Sequence, residues 1–553
     1  MFKKFISLII IILFVKCDHK RSYSKINISP NDIDKYQKKI TLSEEDKKNW
    51  HFKDIEIDTL SGISLKRAYD SLLFNKKGEI VRIAIIDMAI EVKHKGLVSH
   101  LWANKREVDN NGIDDDKNGY VDDVNGWNFL NNSKGESNEF VNYEYTRIVR
   151  KFNPFFENKK NTEINSKDSL NFITYKRAKK KYEKRVNYAK EELDYINMIF
   201  KGKSEAEKEL SKYFKNKNYT INDLDSLREK YLKDKGLQKM IKRKSNFIKY
   251  GYSDEYVFDY KLKAEERVNK LLNLDYNDRK IQGDNSKDLK DIEYGTSNFN
   301  VNIKLLDHGT KMAGIIVNIA QENEIEIMSL AISAYGDEHD KDIALAIRYA
   351  VDNGAKVINM SFAKEFSLHP NWVLDAVKYA EDKNVLLING AANDNQNIDD
   401  DKIDWFPNDH GYFNNKEVSN NFLKIGSSGI YLNNKLKSSF SNYGKTEVDL
   451  FAPGENIYTT FPENEFDVSY GGTSCAAAIT SGVAGLIYSY YPNLTASQVK
   501  HILMDSGLEY TFEVSTPTKE NKNKTTPFNQ LSKSGKVLNA YNALIMADSI
   551  SRN

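Results

Sequence analysis

Three segments of this chain place a side chain capable of acyl-transfer chemistry at the edge of an apolar run. Ile83-Ala84-Ile85-Ile86-Asp87 stops on a carboxylate. Asp307-His308-Gly309-Thr310 opens a second apolar segment with an imidazole. Tyr470-Gly471-Gly472-Thr473-Ser474-Cys475-Ala476-Ala477-Ala478 frames a serine between glycines and small residues. A serine hydroxyl is a weak nucleophile until a base takes its proton, and the base needs a carboxylate to hold its tautomer. The order Asp, His, Ser is one of several in which these groups occur. Small residues after Ser474 suit a helix packed tightly in a core. A serine at that helix's N-terminus sits where the helix field favours an anion.

Other residues of the same segments strengthen this reading. The chain resembles the subtilisin-like serine peptidases, or subtilases. Ile85-Ile86-Asp87, Asp307-His308-Gly309-Thr310-Lys311-Met312-Ala313-Gly314 and Gly472-Thr473-Ser474-Cys475-Ala476-Ala477 resemble the family's Asp, His and Ser motifs. Supporting segments are His94-Lys95-Gly96-Leu97, Gly354–Ser361, Ser439–Gly444 and Ala452-Pro453-Gly454. The resemblance covers roughly residues 62–132 and 290–547. It implies that Asp87, His308 and Ser474 are catalytic. It also implies that Asn393, in Gly390-Ala391-Ala392-Asn393, joins the Ser474 N–H in an oxyanion hole. Further, it implies that Ser361-Phe362-Ala363 and the facing Gly336-Asp337-Glu338 are two edges gripping an extended peptide. The departures are Met88-Ala89 after Asp87, Lys311 for the family's second histidine, Ala363 for a glycine, and Cys475 and Ala478 beside the nucleophile. Together they point to a slow or narrowly specific enzyme.

The loop Asn111–Asp123 contains Asp114-Asp115-Asp116-Lys117-Asn118-Gly119. Oxygen ligands on alternate residues with glycine at the turn are what Ca²⁺ requires. The expected ligands are Asp114, Asp116, Asn118, the Tyr120 carbonyl, and Asp122 or Asp123. Asn125 stands at the twelfth position, so the loop lacks the glutamate of a full EF-hand. The competing reading is an Asx-rich turn without metal. A structural Ca²⁺ is the one cofactor expected, and none is expected for catalysis.

These residues must be held by a large framework. The alternation Ile80–Asp87 strand, Ile325–Ile332 strand, Lys341–Asn353 helix, Lys356–Phe362 strand, Asn371–Lys383 helix and Val385–Asn389 strand predicts an α/β fold. Specifically, it predicts three layers, α/β/α, around a mostly parallel twisted sheet. Chemistry in such sheets gathers at the carboxyl ends of the strands. Ser64 is a candidate N-cap for a helix over 64–73. Residues 133–289 differ in kind, rich in Lys, Tyr and Glu. Tyr175, Ala178, Tyr182, Val186, Ala189, Leu193, Ile196 and Phe200 recur at helical spacing. This predicts an insertion of two or three long helices dividing the catalytic domain into 62–132 and 290–548. Residues 18–61 read as a polar N-terminal spacer and 549–553 as a tail.

Lys+Arg number 81 against 79 Asp+Glu in 553 residues. That balance argues against a nucleic-acid binder held by bulk charge. Lys3-Lys4 followed by Phe5–Val15 is an export signal whose apolar core is short for a span, and Cys17 follows it. Residues 1–17 therefore predict a signal peptide with Cys17 as a lipid-attachment site in the cell envelope; plain secretion is the alternative. The only other cysteine is Cys475, so no intrachain disulfide is expected in a mature chain. Two functions follow. One is a serine endopeptidase acting on protein or peptide. The other is a catalytically degenerate envelope protein binding a partner through its helical insertion. Substrate preference and oligomeric state are not readable.

Overall fold

The computed structural model describes residues 27–36, 42–216, 219–320, 324–400, 404–411 and 416–552. The export-signal run, Cys17 and the first part of the N-terminal spacer lie outside the described residues. Among the described residues, no helix is long and apolar enough to cross a membrane.

A ten-stranded sheet organises the chain. Seven strands run parallel in the order Leu450–Pro453, Phe422–Ser428, Leu386–Gly390, Val357–Met360, Val81–Asp87, Ile325–Ala331 and Gly126–Asn128. Beyond the Leu450 edge come Lys536–Val537, then Leu508–Tyr510 antiparallel to it, then Asn27–Ile28. Val81–Asp87 is apolar almost throughout because it is covered on both faces. Ile83 and Ile85 pack into the cluster that contains the helix Thr473–Tyr490, whereas Ala84 and Ile86 pack into the cluster on the other face with Met328 and Ile347. This pleat-driven division makes the three-layer α/β/α fold.

The helix expected near Ser64 forms over Leu65–Ser71, but Ser64 does not cap it. Its φ is +58° and its hydroxyl instead accepts from Asn539 Nδ2 at 2.8 Å. Residues 18–61 do not form a free spacer where they are described. Ile28 and Trp50 are buried, and the Trp50 indole N–H donates to Glu455 O at 3.1 Å. The polar composition concealed this because few apolar residues carry the docking. At the other end, the stretch expected as a tail continues the helix Ala540–Ser551.

Residues 144–271 are helical, as Glu144–Phe156, Ser169–Leu210, Ile221–Lys230, Lys235–Lys249 and Asp254–Glu266 with a π turn to Leu271. One long helix of 42 residues and four shorter ones replace the expected two or three. Short local caps split the remainder: Thr220 accepts from Asp223 N, Asp234 from Leu237 N and Ser253 from Tyr256 N.

Candidate active site

Asp87 is the last residue of its strand, so its side chain emerges at the carboxyl rim. His308 lies in the first turn of the helix Asp307–Val317. Gly309 lets that helix approach: a Cβ there would lie 2.2 Å from Met88 O and 2.7 Å from Ala89 O. The approach sets His308 Nδ1 donating to Asp87 Oδ1 at 2.7 Å, while Met88 N donates to the same oxygen at 2.6 Å. Asp87 Oδ2 is buried with no partner among the described residues. Burial of the ring disfavours the imidazolium, but the charge and hydrogen bond of Asp87 outweigh it, and His308 is held above the ordinary histidine value. Lys311 pairs with Asp307 at 2.7 Å and lies over the Phe461 ring.

Ser474 is the second residue of the helix Thr473–Tyr490. Its hydroxyl donates to Ser361 O at 2.7 Å, and the Ser361 hydroxyl donates back to Ser474 O at 3.0 Å. Among the described residues no hydrogen bond joins Ser474 to His308. Asn393 follows Ala392, which is held at φ +73°, a left-handed conformation that favours glycine. Asn393 Oδ1 accepts from Thr473 N at 2.9 Å, which orients the amide. A Cβ placed on Gly472 would lie 3.4 Å from Asn393 Nδ2 and 3.7 Å from Ser474 N, so both donors border one point. Cys475 is buried and its thiol is pushed up to about 11, which keeps it protonated beside the serine.

A cavity of about 320 Å³ opens at Ser474 and Asn393 and is lined by Ser361, Phe362 and Ala363. Gly336 and Asp337 border it differently from the expectation of a free facing edge. Tyr335 N donates to Glu139 O at 2.9 Å and Val141 N to Tyr335 O at 2.8 Å. Asp337 Oδ2 accepts from Glu144 N. Beneath lies a buried ionic cluster that the sequence did not disclose. Arg147 meets Glu144 and Asp278, and Lys364 meets Asp340 at 2.7 Å. Their partners come from both sides of the insertion boundary and are scattered in the sequence, so no spacing marked them.

In the Asn111–Asp123 loop, one oxygen from each of Glu107, Asp114 and Asp116 lies within 4.8 Å of the others. Asn118 joins through its backbone N–H, which donates to Asp114 and Asp116. Asp122 turns away to accept from Asn111 N and Gly112 N. Asp123 accepts from Asn104, Asn118 and Tyr349 instead, and burial pushes its carboxyl up to about 6. Glu107, four residues upstream of the loop, was missed because its spacing matches no ligand pattern.

The fold and the rim constellation belong to an α/β hydrolytic class with a serine at a helix N-terminus. A Subtilase family model matches residues 78–531, and the chain belongs to that family. It is 33% identical over 232 residues to a cell wall-associated protease of Bacillus subtilis, covering 42% of this chain and 23% of that protein. It is 30% identical over 206 residues to subtilisin DY of Bacillus licheniformis, covering 35% of this chain and 68% of that one. For a thermostable alkaline protease of Halalkalibacterium halodurans the values are 29% over 203 residues, 35% and 50%. The chain thus spans from a quarter to two thirds of these relatives. Among solved structures, a lanthipeptide protease is matched at 25% identity and a TM-score of 0.34, over 43% of this chain and 75% of that one.

Proposed function

We propose that this protein is a serine endopeptidase of the subtilase family. The observation that carries the reading is the 2.7 Å bond from His308 to Asp87, at the rim where Ser474 begins its helix. In this mechanism the Ser474 hydroxyl leaves Ser361 O by rotating about χ1 to another staggered well and gives its proton to His308 Nε2. Ser474 Oγ bonds to the scissile carbonyl carbon. Asn393 Nδ2 and Ser474 N donate to the oxyanion. The C–N bond then breaks as His308 returns the proton to the leaving amine, and water hydrolyses the acyl-enzyme by the same route in reverse. Asp87 keeps the proton on Nδ1 throughout. Peptide lies along Ser361–Ala363.

The test is labelling by a fluorophosphonate probe, with Ser474→Ala beside the wild type. Labelling of the wild type alone supports the reading. No labelling of folded protein would transfer weight to the envelope-scaffold reading, for which the present Ser474–Ser361 bond is the one favouring observation.

The proposal includes a structural Ca²⁺ held by Asp114 and Asp116 with Glu107, and Asn118 beside them. Three carboxylates this close, met by Arg106 only at Asp116, suit a hard cation. The ion would stabilise the loop and take no part in hydrolysis. An unchanged melting temperature in chelator would refute it. Export, with a lipid on Cys17 or plain secretion, completes the reading. Mass spectrometry of envelope-fraction protein, against Cys17→Ser, distinguishes the two.

A further inference from the structure

The insertion begins as a strand lying on the substrate cleft. Residues 139–141 run parallel to Tyr335, joined by the two backbone bonds described above, and Phe140 pairs with Tyr335 in the register. Gly336, at φ +127°, is approached so closely that a Cβ there would lie 2.0 Å from Val141 O. The carbonyls that follow are taken as well. Arg147 Nη2 donates to Asp337 O at 2.8 Å and to Glu338 O at 3.0 Å, and Lys364 Nζ donates to Glu338 O at 2.6 Å. Strand addition needs free backbone donors and acceptors on the receiving edge. On this edge the insertion has already used them. The opposite edge is different: Ala363 N and O have no partner among the described residues.

The insertion also closes the cavity. Tyr143, Tyr145, Lys181 and Arg185 line the same space as Ser474 and Asn393. Tyr143 and Tyr145 stack with centroids 5.2 Å apart. Two ion pairs fix the long helix over the cavity, Lys181 to Glu365 on one wall and Arg177 to Asp404 on the other. A volume of about 320 Å³ is at the small end of the roughly 300–1,000 Å³ of ligand pockets.

We propose that the insertion is part of the substrate site, occupying one edge of the cleft and walling its far end. The peptide arm along Ser361–Ala363 is then held by one edge only and limited to one or two residues. Cleavage falls close to that end of a peptide. This inference rests on the peptidase reading above.

The experiment uses the full-length protein and two peptide series built on one cleavable bond, each lengthened from one side. The expected result is that kcat/KM in one series peaks at about two residues and falls tenfold or more by four, while the other series stays level or rises. In Tyr143→Ala with Arg185→Ala, both outside the triad, the four-residue peptide should recover at least fivefold. The rate of fluorophosphonate labelling of Ser474 should be unchanged, which separates wall removal from loss of fold. Labelled wild-type enzyme whose kcat/KM rises with length in both series would overturn the wall. So would a double variant that labels normally and recovers nothing. Wild type that is not labelled at all overturns the peptidase reading itself.

Discussion

Ser361 and Ser474 are joined twice, by the Ser474 hydroxyl on Ser361 O at 2.7 Å and the Ser361 hydroxyl on Ser474 O at 3.0 Å. The first bond parks the proposed nucleophile on the strand end that would receive substrate. The second fixes the first turn of its helix to that strand. A peptide laid along Ser361–Ala363 would compete for the Ser361 carbonyl and free the hydroxyl for His308. Substrate binding and nucleophile release are thereby coupled through one acceptor.

The acid limb of the pH–rate profile should report His308. Its pKa is raised, so the neutral base is lost as pH falls through a value above the ordinary histidine one. Asp87→Asn removes the charge responsible and should move that limb to lower pH while reducing kcat by about 10⁴-fold. The linked stability has the same sign. The raised pKa stabilises the fold at pH values below the unfolded histidine pKa, and that contribution is lost as pH rises through the folded value. An Asp87→Asn enzyme with an unmoved acid limb would contradict this.

Asn393 has two faces, and one substitution separates them. Asn393→Asp keeps an acceptor for Thr473 N but lacks the Nδ2 donor. It should lose about 10²–10³ in kcat with KM and melting temperature near those of the wild type.

Trp50 is 1% exposed and anchors the N-terminal stretch to the turn at Glu455. Trp50→Ala should destabilise by about 3–5 kcal/mol, read by denaturant unfolding. A change under 1 kcal/mol would mean that this stretch does not share the core.

Lys437 is a buried cation whose ammonium donates to Asn395 Oδ1 and Ser438 O at 2.9 Å and to Ser441 O at 3.1 Å. Burial lowers its pKa to about 8, partly offset by Glu455. The unfolded chain then binds the proton more tightly, so stability rises with pH between about 8 and the unfolded lysine value. The wild type should gain on the order of 3 kcal/mol across that window relative to Lys437→Met. Parallel pH–stability curves would refute it.

Much of the sheet could be read in advance. Strands such as Val81–Asp87 and Leu386–Gly390 are short, doubly covered and bounded by polar turns, so continuous apolar runs betray them. The motif residues were legible because each sits at an element end beside glycine. The insertion's stripe from Tyr175 was legible by its period, but its breaks were not, since Thr220, Asp234 and Ser253 cap through local bonds that resemble ordinary polar sequence. Trp50 and Ile28 were obscured by the charged residues around them.

What the sequence by itself determined is the set of chemical groups and the elements that carry them: an Asp ending a strand, a His and a Ser beginning helices, an acidic loop, and a long helical interruption. Hydrophobic period and glycine placement are local properties, and they decide local structure. Only the tertiary structure decided which groups meet. It turned Asp122 away from the loop's other carboxylates and brought Glu107 to them. It laid residues 139–141 on the Tyr335 edge and gathered Glu144, Arg147, Asp278, Asp340 and Lys364 into one buried cluster. Those contacts join residues up to two hundred positions apart, and their energies arise only once the chain is closed and water excluded.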